Sequence, residues 1–292
     1  MNFPASKIHH PQGSHTHTVI LLHGRGSDGP EFAEDIFSST ASNGRSLSAS
    51  LPTYRWVFPT SRDRWSTAFQ EEMCSWFDAY SLGDIQARKD LQKDGLRESV
   101  LHILDILEAE ARLLDGQLTR IYLGGISQGM ATSLWTFFAA IGTGRIHGPL
   151  AGLLGFCGWL PFTQQLEELL YKSTATTPHN PDSPQIQRLV SGFFDEIIGH
   201  QASQDEKLVD LSILSTPVFL SHGTDDAWVS VDLGRQASQI LRKIMPHVEW
   251  NEFTGAENDG HWIKQPDGFD RILQFFERSS TDFCPTNRPG GL

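Results

Sequence analysis

The sequence has few of the features that mark secreted, membrane-spanning or metal-dependent proteins. It contains three cysteines, Cys74, Cys157 and Cys284, which make neither a disulfide framework nor a paired zinc spacing. Residues 1–15 carry no apolar segment of signal-peptide length, and no later run approaches the roughly 18 apolar residues that span a bilayer. We therefore expect no transmembrane segment and a reducing, cytoplasmic setting.

Positive charge is also scarce. The chain has 23 Lys and Arg against 35 Asp and Glu, a formal net charge of −12. Because nucleic acids and anionic membranes repel negative charge, neither is an expected general partner. The other proportions, 39% hydrophobic and 20% charged, are ordinary for a globular protein. A chain of 292 residues can bury one large core, so we expect a single domain over residues 1–292.

Short apolar segments alternate with helical ones along the chain. Strands are predicted at Thr18–Leu22, Tyr54–Phe58, Arg120–Leu123, Leu150–Phe156, Pro217–Ser221 and His247–Phe253. Helices are predicted from near Pro30 and at Leu96–Leu114, Met130–Ala140, Val231–Ile244 and Phe269–Phe276. This alternation predicts an α/β fold with a mostly parallel central sheet and helices on both faces.

One segment, residues 161–216, does not fit a minimal α/β layout. Two helix-like stretches, Thr163–Tyr171 and Gln185–Ile198, flank a polar loop at Ser173–Pro184. An insertion after the carboxyl end of a strand lies over the ligand edge of the sheet, so this one is a candidate lid. A surface excursion without a role is the equally weighted alternative. The polar segment Ser279–Leu292 is predicted to be a loose tail.

The most informative segment is Gly125-Ile126-Ser127-Gln128-Gly129, between a predicted strand and a predicted helix. In that context G-x-S-x-G predicts a nucleophile elbow, in which the glycines let the strand and the helix approach closely. The alternative is a glycine-rich turn whose serine caps the helix. Since a serine hydroxyl is a weak nucleophile, the sequence must also supply a base, an acid and oxyanion donors.

Three histidines follow predicted strands. His23 and His222 each stand in a His-Gly step, where a role in the turn is expected. His261 lies eight residues beyond the last strand, in a loop that can reach back to the elbow. We predict His261 as the base, with a purely structural histidine as the alternative.

The orienting acid is expected in His222-Gly223-Thr224-Asp225-Asp226. Either aspartate could accept a hydrogen bond from His261 Nδ1, while the other shapes the turn. The chain order Ser, Asp, His is the order found in α/β hydrolases. For the oxyanion, the backbone N–H of Gln128 and that of Arg25, in the first loop, are the predicted donors, together contributing roughly 3–4 kcal/mol.

Five segments carry a family resemblance: Leu21–Gly26, Ser75–Asp78, Gly124–Gly129, Gly158–Pro161 and His222–Asp226. In these segments, which lie between about residues 18 and 278, the chain resembles the acyl-protein thioesterase/carboxylesterase branch of the α/β hydrolases, also called the phospholipase/carboxylesterase family. The resemblance implies an α/β-hydrolase fold.

The resemblance also implies roles for single residues. It selects Asp226 over Asp225 as the triad acid, and it implies His261 as the triad histidine. It implies Arg25 as the oxyanion-hole residue after His-Gly. The family commonly has leucine there, so the arginine would place a cation near the substrate.

Four tryptophans, Trp76, Trp159, Trp228 and Trp262, stand beside predicted site elements. Tryptophan is large and rigid, and a cluster at strand ends would make an aromatic acyl or aryl pocket. We predict Trp76, Trp159 and Trp228 as substrate-binding residues. The alternative for each is packing in the core or in a loop.

Together these residues predict a serine hydrolase that cleaves carboxylic esters through an acyl-enzyme intermediate, without a metal or an organic cofactor. An acyl-protein thioesterase or a lysophospholipase is the first alternative. A non-catalytic ligand-binding protein on the same fold is a more distant one. The expected partner is a small ester, an acyl thioester or an acylated protein.

Overall fold

The computed structural model of the chain describes residues 2–176, 192–193, 196–197 and 210–282. Its strands are β1 (Lys7–His9), β2 (His17–Leu22), β3 (Tyr54–Phe58), β4 (Arg62–Ser66), β5 (Glu71–Ser75), β6 (Ile121–Ile126), β7 (Gly152–Phe156), β8 (Val218–Gly223) and β9 (Val248–Phe253). Its α-helices are α1 (Gly29–Ser38), α2 (Leu47–Ser50), α3 (Gln92–Leu113), α4 (Gln128–Thr143), α5 (Thr163–Thr176), α6 (Val231–Leu241) and α7 (Asp267–Asp282). None of the helices in these ranges combines the length and the apolar character needed to cross a membrane.

Within the described ranges, seven strands form one sheet in the order β1-β3-β2-β6-β7-β8-β9. Strand β1 pairs antiparallel with β3, and all the other neighbours are parallel. Strands β4 and β5 form a separate antiparallel hairpin. The mostly parallel sheet confirms the predicted α/β class.

The sheet separates two buried apolar layers. Because successive residues of a strand point to opposite faces, Val19 and Leu21 of β2 join one layer and Ile20 and Leu22 join the other. Helices α1 and α7 cover the first layer, whereas α3, α4 and α6 cover the second. Helices therefore lie on both faces of the sheet, as predicted.

The predicted strands agree with the observed ones to within a few residues, because each is an apolar run between turn residues. Strand β1 and the β4–β5 hairpin were not predicted. The hairpin strands carry charged residues such as Arg62, Arg64 and Glu71, and their burial is largely partial. A polar two-stranded ribbon of this kind lacks the apolar signal from which buried strands are recognised.

The candidate lid is described in part. Its first helix-like stretch is helix α5, which continues through Ser173 to Thr176, where the sequence predicts a loop. Leu166 and Leu170 of α5 are buried in the core. The rest of the predicted loop to Pro184, and most of the second stretch Gln185–Ile198, lie outside the described residues.

The carboxyl-terminal segment differs from the predicted loose tail in its first residues. Helix α7 continues to Asp282, and Ser279 is buried with its hydroxyl 2.8 Å from Tyr122 Oη. This contact anchors the last turns of α7 to β6. Residues 283–292 of the predicted tail lie outside the described residues.

The topology gathers loops at the carboxyl edge of the sheet. The chain leaves β2 toward β3 on one side and returns to β6 on the other, so β2 and β6 flank a topological switch point, where α/β sheets bind ligands. Leu22 pairs with Gly125 in this register. The loops after β2 and β6 therefore emerge side by side, followed by those after β7, β8 and β9.

Candidate active site

Ser127 stands in the sharp turn between β6 and α4. Its backbone angles are φ 56° and ψ −122°, a conformation that L-residues rarely adopt. The flanking glycines make this turn possible, because a Cβ on Gly125 or Gly129 would lie 2.6 Å or 2.2 Å from the carbonyl oxygen of Leu22. The elbow is thus pressed directly against the end of β2. This is the strand-serine-helix geometry predicted from the sequence.

Asp226 lies in the loop after β8, and its side chain is fully buried. Its Oδ1 accepts hydrogen bonds of 2.9 Å from the backbone N–H groups of Trp228 and Val229. Its Oδ2 lies 2.7 Å from His261 Nδ1 and 3.2 Å from His222 Nε2. Burial alone would raise the pKa of Asp226, but the bonds from the two imidazoles outweigh burial and hold it well below its usual range. The carboxylate is therefore ionised and firmly oriented.

The loop that carries His261 packs tightly against the loop of Asp226. Gly260 has φ 83°, and a Cβ there would lie 2.8 Å from the carbonyl of Asp225. A backbone hydrogen bond of 3.0 Å from Ala227 N–H to Asp259 O joins the same two loops. Glycine at 260 is therefore what allows the imidazole to reach the carboxylate.

Cys157, at the end of β7, lies beneath this pair. Among the described residues, Cys157, Asp226 and His261 form a group that could in principle hold a metal ion. Each offers one ligand atom, and these three atoms lie within 4.8 Å of one another. Burial raises the pKa of the Cys157 thiol to about 12, and the charge of Asp226 adds to this effect. A protonated thiol is a poor metal ligand, and the oxygens of Asp226 already accept N–H groups. The donor set fits a hydrogen-bonded acid and imidazole better than a resident metal.

Ser127 and His261 line the same cavity, of about 560 Å³. The loop after β2 contributes Gly24, Arg25 and Gly26, and helix α1 contributes Glu31, Phe32 and Asp35. The His261 loop contributes Glu257, Asn258, Trp262 and Gln265. The cavity is open to solvent and large enough for a small organic ligand.

The loop after β2 lies beside the serine. A Cβ on Gly24 would lie 3.4 Å from Ser127 Cβ, so the next residue, Arg25, is adjacent to the elbow. The N–H of Gly26 donates to Cys74 O at 2.8 Å, which ties this loop to β5. Gln128 is the first residue of α4, and its N–H has no acceptor within the helix. The two predicted oxyanion donors thus belong to segments that meet at Ser127, Arg25 to the loop after β2 and Gln128 to the start of α4.

A buried hydrogen-bond brace holds these loops together. The side chain of Gln128 accepts from Trp76 N–H at 2.8 Å and donates to Phe77 O at 2.7 Å. The Trp76 indole Nε1–H donates to His23 O at 2.9 Å. Gln128 and Trp76 therefore connect the elbow, the loop after β5 and the loop after β2.

His23 completes this brace. Its Nδ1 donates to Gly24 O at 2.6 Å, and its Nε2 accepts from Ser61 N–H at 3.0 Å. Burial lowers the pKa of His23 to about 4, so the ring is neutral near pH 7. The role in the turn that the sequence suggested for His23 agrees with these contacts.

The guanidinium of Arg25 contacts the protein on the hairpin side of its loop. Its Nη1 donates to Ala79 O at 3.2 Å, and its Cζ lies 4.6 Å from the centroid of the Phe69 ring. A cation over an aromatic face is favourable. Arg25 lines the cavity, and its charged end is held by these contacts.

The four tryptophans beside the predicted site elements lie in different surroundings. Trp76 and Trp159 are buried in the core, Trp76 in the brace described above and Trp159 against Phe77. Trp228 is 59% exposed. These three do not line the cavity of Ser127 and His261, whereas Trp262 does, with its ring 6.0 Å from that of Phe32. Large apolar rings at strand ends pack beneath a site as readily as around it, so the sequence did not separate the two roles.

Sequence reasoning also missed two contributors to the site. His222 was interpreted only as a turn residue, although its ring contacts Asp226. Phe32 of α1 lines the cavity and stands outside every motif. A signal for His222 was present, since it precedes the acid by four residues, but the contact depends on how the loop folds.

The fold and this constellation define an α/β hydrolase. The sequence profile of the family described as Phospholipase/Carboxylesterase matches residues 4–187. The chain is 26% identical over 256 residues to acyl-protein thioesterase 1 of Yarrowia lipolytica, covering 87% of this chain and 88% of that protein. It is 30% identical over 174 residues to acyl-protein thioesterase 1 of Schizosaccharomyces pombe, covering 59% and 69% of the two chains.

Solved structures support the same fold. Acyl-protein thioesterase 2 of Zea mays superposes with a TM-score of 0.63 at 20% identity, covering 95% of this chain and 99% of that one. Esterase PE8 superposes with a TM-score of 0.60 at 21% identity, covering 94% and 98%. The chain belongs to the phospholipase/carboxylesterase family of serine hydrolases, as its motifs indicated.

Proposed function

We propose that this chain hydrolyses carboxylic esters by a two-step acyl transfer to water, with Ser127, His261 and Asp226 as the catalytic triad. The observation that carries the proposal is the 2.7 Å contact between His261 Nδ1 and the carboxylate of Asp226, which is buried and ionised. His261 also lines one cavity together with Ser127. Membership of an esterase family supports it.

In the first step Ser127 Oγ attacks the ester carbonyl while His261 Nε2 takes its proton. Asp226 holds the Nδ1–H tautomer and stabilises the imidazolium. The N–H groups of Arg25 and Gln128 receive the charge that develops on the carbonyl oxygen. His261 then protonates the leaving alcohol, and water releases the acyl group from Ser127 by the reverse sequence. No metal or organic cofactor takes part in these steps.

The test is turnover of p-nitrophenyl butyrate by wild type and Ser127→Ala. We expect the variant to lose at least about 10³-fold in kcat, because the acyl-enzyme can no longer form. Ser133→Ala, which alters a buried serine of the same helix bonded to Gly124 O, is the control and should keep most activity. Retention of most activity by Ser127→Ala would refute the assignment.

A fluorophosphonate probe separates this enzyme from a non-catalytic ligand-binding protein of the same fold. We expect it to label wild type at Ser127 and to leave Ser127→Ala unlabelled. Absence of labelling in folded wild-type protein would favour the binding protein.

A second candidate function is hydrolysis of acyl thioesters, including those of acylated proteins. The relatives named acyl-protein thioesterase 1 favour it, and the same triad cleaves both bonds. A lysophospholipase is a further ester hydrolase within the proposal. Comparing kcat/KM for short p-nitrophenyl esters, long-chain acyl thioesters and lysophospholipids ranks the three. Faster cleavage of the long-chain thioesters would select the thioesterase.

A further inference from the structure

The carboxylate of Asp226 contacts a second imidazole besides that of His261. His222 stands at the end of β8, and its side chain is 1% exposed. Its Nε2 lies 2.9 Å from Val229 O and 3.2 Å from Asp226 Oδ2. Because both of these atoms only accept, the hydrogen of the ring must be on Nε2. The Nε2–H donates to Val229 O, and the carboxylate of Asp226 lies beside the same group.

The His222 ring is fixed by its surroundings. A Cβ on Gly234 of α6 would lie 2.4 Å from its Nδ1, so the ring edge packs against the backbone of that helix. The Trp250 ring lies 6.2 Å away, between centroids. Nδ1 has no hydrogen-bond partner in the part of the chain that the structure describes. A buried imidazole nitrogen without a partner is costly, which suggests that the ring is kept for the bonds that its other nitrogen makes.

Neighbouring charges do not compete for His222. Glu252, on β9, interacts with the charge of His222, but its carboxylate is bound by Arg235 at 2.8 and 2.7 Å and by Trp250 Nε1 at 2.8 Å. The Nε2–H of His222 therefore acts on Asp226 and Val229 O.

We propose that His222 is a positioning residue for the triad acid. The N–H groups of Trp228 and Val229 fix Oδ1, and the 3.2 Å contact from His222 Nε2 restrains the other oxygen so that it faces His261 Nδ1. The proposal rests on the proposed function, because it takes Asp226 as the triad acid. A displacement of about 1 Å in such a group can cost on the order of 10²-fold in rate.

The test compares His222→Gln with His222→Asn. The Gln amide nitrogen can take the place of Nε2, while the shorter Asn side chain reaches only the place of Nδ1, so the pair differs in reach rather than polarity. With p-nitrophenyl butyrate we expect His222→Asn to lower kcat about 10–100-fold with KM within about twofold. His222→Gln should stay within about fivefold of wild type. Thermal melts establish that each compared variant is folded.

A double-mutant cycle completes the test. In an Asp226→Asn background, which lacks the carboxylate to be positioned, His222→Asn should cost less than about twofold further. Equal losses in both backgrounds, equal activities of the Gln and Asn variants, or a change in KM alone would overturn the proposal. Failure of the proposed function would give a different result from failure of this proposal. If Asp226 is not the triad acid, Asp226→Asn leaves turnover unchanged with any residue at position 222.

Discussion

The indole N–H of Trp76 donates a 2.9 Å hydrogen bond to the main-chain carbonyl of His23. Trp76 follows β5, whereas His23 follows β2 and opens the loop that carries Arg25. Gln128, at the start of α4, binds the backbone of Trp76 and Phe77 on the same side. A tryptophan predicted to bind substrate thus holds the loop of a proposed oxyanion donor in place.

This relationship gives the first prediction. Trp76→Phe leaves His23 O buried without its donor and loosens the Arg25 loop, so we expect kcat for p-nitrophenyl butyrate to fall about 3–10-fold. The free energy of unfolding should fall by about 1–3 kcal/mol. Trp56→Phe is the matched control, because Trp56 is fully buried and its Nε1 has no hydrogen-bond partner among the described residues. Equal losses of kcat in the two variants would show that Trp76 acts through packing alone.

Adjacent aspartates allow a direct test of the acid. Asp226→Asn should lower kcat about 10³–10⁴-fold, because an amide favours the wrong histidine tautomer. Asp225 instead accepts a 2.8 Å hydrogen bond from Gly255 N–H, and Asp225→Asn should stay within about threefold. Steady-state kinetics on both variants decides the matter, and a larger loss in Asp225→Asn would reverse the assignment.

Stability is expected to fall as the pH falls from about 6.5 toward 4. Burial lowers the pKa of His23 to about 4, below the ordinary value of 6.5. Between these values the unfolded chain binds the proton and the folded chain does not, so protonation favours unfolding. The contribution of His23 is complete above pH 6.5 and declines by up to about 1.4 kcal/mol per pH unit below it.

Urea unfolding at pH 7 and pH 5 measures this loss, which should be about 2 kcal/mol from His23. In His23→Gln, whose amide oxygen can still accept from Ser61 N–H, the difference between the two pH values should be smaller. His17, whose pKa burial also lowers to about 4, adds to the loss in both proteins. An identical pH dependence of the two proteins would contradict the prediction.

The cavity wall carries Glu31, Asp35 and Glu257 beside the rings of Phe32 and Trp262. Burial, and then the charge of Glu31, raises the pKa of Asp35. We expect a leaving group with a positive charge to be preferred, because carboxylates and aromatic faces both attract cations. The kcat/KM for butyrylcholine should be about tenfold higher than that for its neutral isostere, 3,3-dimethylbutyl butyrate. This factor follows because each exposed carboxylate contributes about 0.2–1 kcal/mol to the attraction of the cation.

A triple variant and added salt test whether this preference comes from the charge of the carboxylates. Neutralising all three acids in Glu31→Gln, Asp35→Asn, Glu257→Gln should bring the ratio of the two kcat/KM values near one, and added salt should reduce it in wild type. A wild-type ratio near one at low salt would rule out a role of the carboxylates in substrate choice.

Much of the fold could be predicted from local sequence. Apolar runs such as Tyr54–Phe58 identified the buried strands, and the glycines around Ser127 identified the elbow. The β4–β5 hairpin was missed, because its charged strands lack that apolar pattern. The end of α7 was missed because Ser279 is polar and is buried only through its contact with Tyr122.

For the proposed site, the sequence by itself indicated the three residue types and their order along the chain, because Ser127, the Asp225-Asp226 pair and His261 each follow a recognisable strand. Only the tertiary structure decided what surrounds them. It places Trp76 under the site rather than in it, and it brings His222 against the acid. Such contacts join residues through the packing of several loops, and no local pattern encodes the distance between two loops that meet only in the folded chain.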